Sequence, residues 1–450
     1  MKARFGTDGL RGLAGEVLTP ELAVSLGRSA AAVLGGKAEV MYLGRDTRLS
    51  GSMLSAGFAS GVAAQGLNVI DLGVVPTPYV AFVSAGAGAP GAVVSASHNP
   101  FADNGIKLFA AGGLKLSDEE EAAVEERLHA EVHPTLSGER IGRVAVQELD
   151  LGAYVEKLTA GIQDRSLSGV RVVLDVANGA AVTTAETVFT AAGATVAEVV
   201  GSRPDGTNIN AGCGSNDTRV LSEAVRRNRA TLGLAFDGDA DRVVAVDEKG
   251  TAVDGDRLIA MLAADLQSRG RLAGGGVAVT VMSNLGLHEA LRDLKVQVEV
   301  TQVGDRSILE ALARRGWSLG GEQSGHIVLR DLATTGDGVL TGLLLADLVL
   351  RSDRPLSELA STCMRSFPQV MINVAVADKE LLAPAEEVWG EVSAVQAELD
   401  GRGRVVLRPS GTENLVRVMV EADTQQAAAE GAERLAAVVA RVLGPPPAEV

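Results

Sequence analysis

The first residue in this sequence equipped for covalent chemistry is a serine at the end of an apolar run. Ser95-Ala96-Ser97-His98-Asn99-Pro100 follows Val93 and Val94 directly. A hydroxyl on a strand-to-loop turn is exposed and held, as a nucleophile must be. Adjacent side chains on such a turn point apart, so His98 need not be the proton acceptor for Ser97. No Gly-x-Ser-x-Gly elbow surrounds the serine, which weakens a hydrolase reading. Alone, the segment reads better as an Asn-Pro turn with ordinary polar decoration.

A second cluster is Asp237-Gly238-Asp239-Ala240-Asp241-Arg242, after the apolar run 232–236. Carboxylates at alternating positions can converge on one hard cation through oxygen ligands. The look-alike is a helix-loop-helix calcium loop, and Glu248 even falls at its twelfth position. Arg242 stands where that loop needs glycine, however, and both flanks read as strands. Asp237, Asp239 and Asp241 leave coordination sites open, which suits magnesium bridging to a phosphate. A solvated acidic turn is the plain alternative.

Two later segments could grip a polar ligand. Gly320-Gly321-Glu322-Gln323-Ser324-Gly325-His326 offers Glu322 and Ser324 two residues apart, suited to sugar hydroxyls or an amine. Arg408-Pro409-Ser410-Gly411-Thr412-Glu413-Asn414, with Arg417 three residues on, combines hydroxyls, a flexible backbone and two guanidinium groups in a phosphate cradle. It lacks the lysine of a nucleotide P-loop, so ATP is not implied. The opening Phe5-Gly6-Thr7-Asp8-Gly9-Leu10-Arg11-Gly12 is a softer signal, with Arg11 able to face a phosphate. Ordinary turns explain each of these segments taken singly.

Positioning such residues requires sheets, and the pattern supplies them. Apolar β-branched runs at 40–44, 69–73, 91–95, 170–175, 232–236 and 277–281 read as strands. They alternate with helical stretches at 22–34, 53–64, 118–129, 184–192 and 287–294. This predicts an α/β fold: three similar mixed, mainly parallel α/β domains, 1–150, 151–252 and 253–366. The tail, 367–450, reads as a smaller α+β domain, with strands at 405–407 and 415–420 and a helix at 425–442. The 450 residues, 46% hydrophobic and 22% charged, have the balance of a soluble globular chain of several domains.

A net charge of −16 argues against nucleic acid or an anionic membrane as partner. Any anionic substrate must then be met by locally gathered Arg and Lys. Cys213 and Cys363 are the only cysteines, which fits a reducing cytoplasm. The first residues lack a signal-peptide core, and no apolar run is long enough to span a bilayer.

Together the motifs resemble the α-D-phosphohexomutase superfamily. Its members carry, in this order, a Ser-His-Asn-Pro phosphoserine loop, an Asp-Gly-Asp-x-Asp-Arg metal loop, a Gly-Glu-x-Ser sugar loop and a Ser-Gly-Thr phosphate loop. The resemblance covers essentially the whole chain, and it implies four domains around a central active-site cleft, one loop from each. Gln323 and its neighbours, with Asp103-Asn104-Gly105-Ile106-Lys107 and Thr334-Thr335-Gly336-Asp337-Gly338, are most similar to the branch acting on glucosamine phosphate. Asn414 departs from the family's usual proline.

By this resemblance Ser97 carries a phosphoryl group and ligates one Mg2+ with Asp237, Asp239 and Asp241. Lys107 is the implied acid and base, with His98, Arg11 and Arg242 around the transferring phosphate. Glu322, Ser324 and His326 would hold the sugar, and Arg408, Ser410, Gly411, Thr412 and Arg417 its distal phosphate. A glucosamine 1,6-bisphosphate intermediate is implied, and the chain is expected as a cytoplasmic monomer or homodimer.

Overall fold

The computed structural model describes residues 6, 9–129, 135–410 and 414–445. Three of its sheets repeat one arrangement. In the first, Asn68–Val74, Val40–Arg45 and Gly91–Val94 lie parallel in that order, and Asp103–Ala110 runs back antiparallel beside the last. The second does the same with Thr195–Val200, Arg171–Asp175 and Leu232–Phe236, then Val243–Asp247. In the third the strands are Gln297–Thr301, Gly276–Thr280 and Leu319–Gly321, then Ile327–Leu329. Every residue of Gly91–Val94, Leu232–Phe236 and Gly276–Thr280 is buried, as parallel strands covered by helices on both faces require.

Helix starts are written in local chemistry. Thr19 accepts the Leu22 N–H at 3.2 Å, and Pro20 opens Pro20–Leu34, where its missing donor costs nothing. Ser117 and Glu120 form a reciprocal capping box at the head of Asp118–Leu128. Asp337 caps the largely buried helix Gly338–Ser352. The helix expected at 184–192 forms as Ala185–Ala191, with a short 3-10 turn, Ala180–Thr183, just before it.

The fourth domain is an antiparallel sheet of Gln369–Ala375, Leu415–Ala422 and Gly403–Pro409 under Glu386–Leu399 and Gln425–Leu443. Its core, including Val388, Val418 and Leu435, is separate; another cluster, including Leu26, Phe58 and Ile106, belongs to the first domain alone, and a third runs through parts of the first three domains. Polar contacts join it to the third domain: Leu285 N–H to Glu421 at 3.1 Å and Asn284 to the Phe367 carbonyl at 2.9 Å. Among the described residues no helix is long and apolar enough to cross a membrane.

The same step of every sheet carries the chemistry-bearing loop. Residues 95–102, 237–242 and 322–326 each lie between the last parallel strand and its antiparallel neighbour, and in the fourth domain the phosphate motif falls in sequence between Gly403–Pro409 and Leu415–Ala422. In the first three sheets these loops leave the carboxyl end of a parallel strand, the end of an α/β sheet at which ligands bind.

Candidate active site

Ser97 sits in the left-handed region at φ 53°, which residues with a Cβ avoid unless surroundings impose it. Its N–H donates to Ser95 Oγ at 2.9 Å, and Ser95 Oγ donates in turn to Asp46 at 2.7 Å. Its carbonyl accepts from Arg48 at 2.9 Å and from Asn210 at 3.0 Å. The turn was expected to expose its hydroxyl; instead Ser97 is fully buried, because the loop of the second domain closes over it. Its Oγ donates a short hydrogen bond to Asp237.

Asp237, Asp239 and Asp241 are all buried, with one carboxylate oxygen of each within 4.8 Å of the others. Asp239 Oδ2 accepts from Thr77 Oγ1 at 2.5 Å and from Lys107 Nζ at 2.8 Å, and Asp241 Oδ2 accepts from Lys107 at 3.0 Å. Thr77 opens the helix Thr77–Ala87, so that helix presents its positive end to the acidic loop. Burial, then Asp241 and Asp239, push the Asp237 carboxyl well up. Burial also raises Asp241, but Lys107, His326 and Arg242 outweigh it and hold that carboxyl well below its ordinary range. Asp239 Oδ1 and Asp241 Oδ1 are buried without a hydrogen bond. An all-oxygen donor set with such orphaned atoms fits a hard divalent cation, whose charge would offset the mutual repulsion.

Two basic groups and a histidine border the serine. Arg242 Nη1 lies 3.1 Å from His98 Nδ1, and its backbone N–H donates to Asp237 at 3.1 Å. Burial, then Arg242 and Arg11, push His98 down to about 4, so the ring is neutral at pH 7. Its Nδ1 is 3.4 Å from Ser97 Oγ. A neutral ring under two guanidinium groups is a poor proton acceptor, and its position suits orienting Arg242.

From the third domain, Glu322 accepts the Gly304 N–H at 3.1 Å, with exposed Ser324 3.5 Å from its other oxygen. His326 is buried, its Nδ1 3.6 Å from Asp241 Oδ1, which places it behind the acidic loop. Burial lowers its pKa, but the neighbouring Asp241 carboxylate outweighs this and raises it. In the fourth domain Arg408 and Arg417 are register partners on neighbouring strands. Burial, then Arg417, lower the Arg408 pKa, and Glu322 opposes them, so the two loops lie within electrostatic reach. Like charges directly opposite each other repel, an arrangement that a bound phosphate would relieve. Ser410 is buried, with its carbonyl accepting from Lys379 at 2.7 Å. Gly411 and Thr412 lie outside the described residues, as do Phe5, Thr7 and Asp8.

The structure therefore brings together Ser97, His98, Lys107, Asp237, Asp239, Asp241, Arg242 and His326. It sets Glu322 and Ser324 on the third domain's loop, Arg408 and Arg417 on neighbouring strands of the fourth domain, and Ser410 just after the first of those strands. The sequence reading missed Asp46, Arg48, Thr77 and Asn210, which hold this set in place. The usable signal for Asp46 and Arg48 was their position at the end of Val40–Arg45, the parallel neighbour of Gly91–Val94.

A buried serine on a carboxylate cluster, with a separate pair of arginines on neighbouring strands of the fourth domain, defines a phosphoryl-transfer protein on a four-domain α/β frame. The chain belongs to the phosphoglucomutase/phosphomannomutase family. That family's alpha/beta/alpha domain I matches residues 2–134, domain II 152–250, domain III 254–367 and the C-terminal domain 371–438. A phosphoglucosamine mutase of Saccharopolyspora erythraea is 50% identical over 449 residues, covering 98% of this chain and 100% of the relative. One from Desulforudis audaxviator is 47% identical over 447 residues, covering 98% and 99%. Among solved structures, a phosphoglucomutase/phosphomannomutase family protein of Burkholderia thailandensis superposes with TM-score 0.79 at 24% identity, covering 98% of both chains. Aspergillus fumigatus N-acetylphosphoglucosamine mutase, in complex with GlcNAc-6P and magnesium, superposes at TM-score 0.70 and 19% identity, covering 98% and 96%.

Proposed function

We propose that this chain is a cytoplasmic phosphoglucosamine mutase, interconverting glucosamine 6-phosphate and glucosamine 1-phosphate for amino-sugar precursor synthesis. The observation that carries the reading is Ser97 Oγ hydrogen-bonded to Asp237 within the buried aspartate cluster. Near-full-length relatives bearing that enzyme's name support the choice of sugar.

In this reading Ser97 carries a phosphoryl group, and the sugar's 6-phosphate docks on Arg408, Ser410, Gly411, Thr412 and Arg417. Glu322 and Ser324 hold the ring. The C1 hydroxyl oxygen attacks phosphorus, the new O1–P bond forms and the Oγ–P bond breaks. The hydroxyl proton leaves to solvent or base, and Ser97 Oγ is reprotonated. The resulting 1,6-bisphosphate turns over in the cleft and returns its 6-phosphate to Ser97, the same exchange in reverse. Lys107 is assigned the acid's role, because its ammonium is held between Asp239 and Asp241. Arg242 and Arg11 neutralise the equatorial oxygens, since phosphoryl transfer needs alignment and charge compensation more than covalent help.

Asp237, Asp239, Asp241 and the Ser97 oxygen would hold Mg2+. When bound, it supplies Lewis-acid stabilisation of phosphoryl charge. The experiment is a phosphorus NMR time course with the 6-phosphates of glucosamine, glucose and mannose, each with magnesium and a trace of sugar 1,6-bisphosphate. Fastest conversion of the glucosamine ester is the expected result. Preference for glucose or mannose overturns the substrate, and inorganic phosphate as main product overturns mutase chemistry.

A further inference from the structure

We infer that Arg48 is a positioning residue for phosphoryl transfer, forming with Asp46 and Asn210 a two-sided clamp on the backbone that presents Ser97. The inference rests on Ser97 being the phosphoryl carrier. The Arg48 side chain has no exposure, and all five guanidinium donors are used. Nε donates to Asp46 at 2.8 Å, and Nη1 donates to the Asp103 carbonyl at 2.9 Å and to the Pro100 carbonyl. Nη2 donates to the carbonyls of Ser97 and Asn99, both at 2.9 Å. The loop from the serine to the next strand is thus wrapped around one rigid fork.

Asp46 closes the near side. Besides compensating the buried charge, it accepts from Ser95 Oγ, which receives the Ser97 N–H. The far side comes from the second domain: Asn210 Nδ2 donates to the Ser97 and Asn99 carbonyls at 3.0 and 3.2 Å, the same two that Arg48 Nη2 holds. Each of those carbonyls is therefore gripped from both domains. A left-handed serine persists only when its surroundings over-determine it, and here both its N–H and its carbonyl are fixed.

This matters because the same oxygen must give and recover a phosphoryl group in every cycle. Positioning is most of what a protein contributes to such a reaction. An arginine serving only stability would do as well paired to carboxylates; this one spends three of its donors on one loop's carbonyls and a fourth on the first carbonyl of the strand that follows. Lysine cannot replace it, having three donors on a single point instead of a planar fork.

The test uses the full chain with magnesium and glucosamine 1,6-bisphosphate, comparing Arg48→Lys, Arg48→Met, Asn210→Asp and Ser97→Ala. Asn210→Asp keeps shape and tolerance of positive φ while turning the donor into an acceptor that repels both carbonyls. For Arg48→Lys the expected result is a kcat loss of about 10²-fold with KM for glucosamine 6-phosphate held within about twofold. Its phosphoserine should still form, with a shifted and broadened phosphorus resonance. Asn210→Asp should lower kcat by about tenfold, again at constant KM. A folded Arg48→Lys with kcat within about threefold of wild type overturns the inference, as does parallel loss of kcat, KM and melting temperature. Should the Arg48 variants not fold, an unchanged kcat in Asn210→Asp overturns it alone. Mutase activity in Ser97→Ala would instead bring down the assignment of Ser97 itself.

Discussion

Replacing Gly238 by alanine tests whether the serine loop and the acidic loop are held in fixed apposition. A Cβ at Gly238 would lie 2.4 Å from the Ser97 carbonyl oxygen and 2.8 Å from Ile209 Cδ1, where ordinary contact begins near 3.4 Å. One loop must therefore yield by about 1 Å. The acidic loop is backed by Gly179, whose own Cβ would come within 2.5 Å of the Gly238 oxygen, and the Ala180 N–H donates to that oxygen at 2.8 Å. The serine carbonyl is the side that moves, against Arg48 and Asn210. A misplacement of that size costs about 10²-fold in rate, and forcing a methyl into a packed site costs about 1–3 kcal/mol of stability. Steady-state kinetics on glucosamine 6-phosphate and thermal melting measure both. The control is Gly86→Ala on helix Thr77–Ala87, where no atom lies within 4 Å. It should keep full activity and gain up to about 1 kcal/mol. Gly238→Ala with kcat within about threefold of wild type would refute the reasoning.

Arg408→Met should raise KM for the sugar phosphate by about 10- to 100-fold with a smaller effect on kcat, since a charged hydrogen bond is worth about 1.5–3 kcal/mol; an unchanged KM in initial-rate assays contradicts the docking role. Lys107→Met leaves Asp239 and Asp241 without their buried ammonium and should cost about 3–5 kcal/mol in urea unfolding without added metal; wild-type stability would count against the ion pairs. Burial raises Asp256 to about 7 from an ordinary 3.8. Because the folded state then binds the proton more tightly, Asp256 should lower stability progressively between pH 4 and 7. Asp256→Asn keeps an acceptor for the Asn284 N–H and should flatten that slope, gaining about 2–4 kcal/mol near pH 8; parallel pH profiles for the two proteins would refute it.

The strands at 232–236 and 276–280 were legible because burial on both faces writes them as unbroken apolar runs. The helices found at 20–34 and 118–128 were legible, at 22–34 and 118–129, as helix-favouring stretches, while their caps at Thr19 and Ser117 went unread. Asp103–Ala110 was harder, because Asn104 and Lys107 are buried polar groups that a hydrophobic count reads as loop. The chemistry of the site was legible where it clusters along the chain, as in residues 237–242. Its supports were not, because they act across distance. Arg48, Asn210 and Thr77 reach partners 49, 113 and 162 residues away, two of them through main-chain carbonyls that carry no side-chain signature. The burial of Ser97 was invisible for the same reason, since the covering loop belongs to another domain.

The central claim is that phosphate passes between sugar positions through Ser97. The most direct measurement loads the protein with glucosamine 1,6-bisphosphate and follows intact mass and the peptide bearing residue 97, before and after a chase with glucosamine 6-phosphate carrying heavy oxygen in its phosphate. The account predicts one phosphoryl group on Ser97, replaced during the chase by its heavy counterpart as one equivalent of light glucosamine 1-phosphate is released, with heavy glucosamine 1-phosphate following on later turnovers. Turnover with Ser97 unmodified throughout, or with the label on another residue, would contradict it.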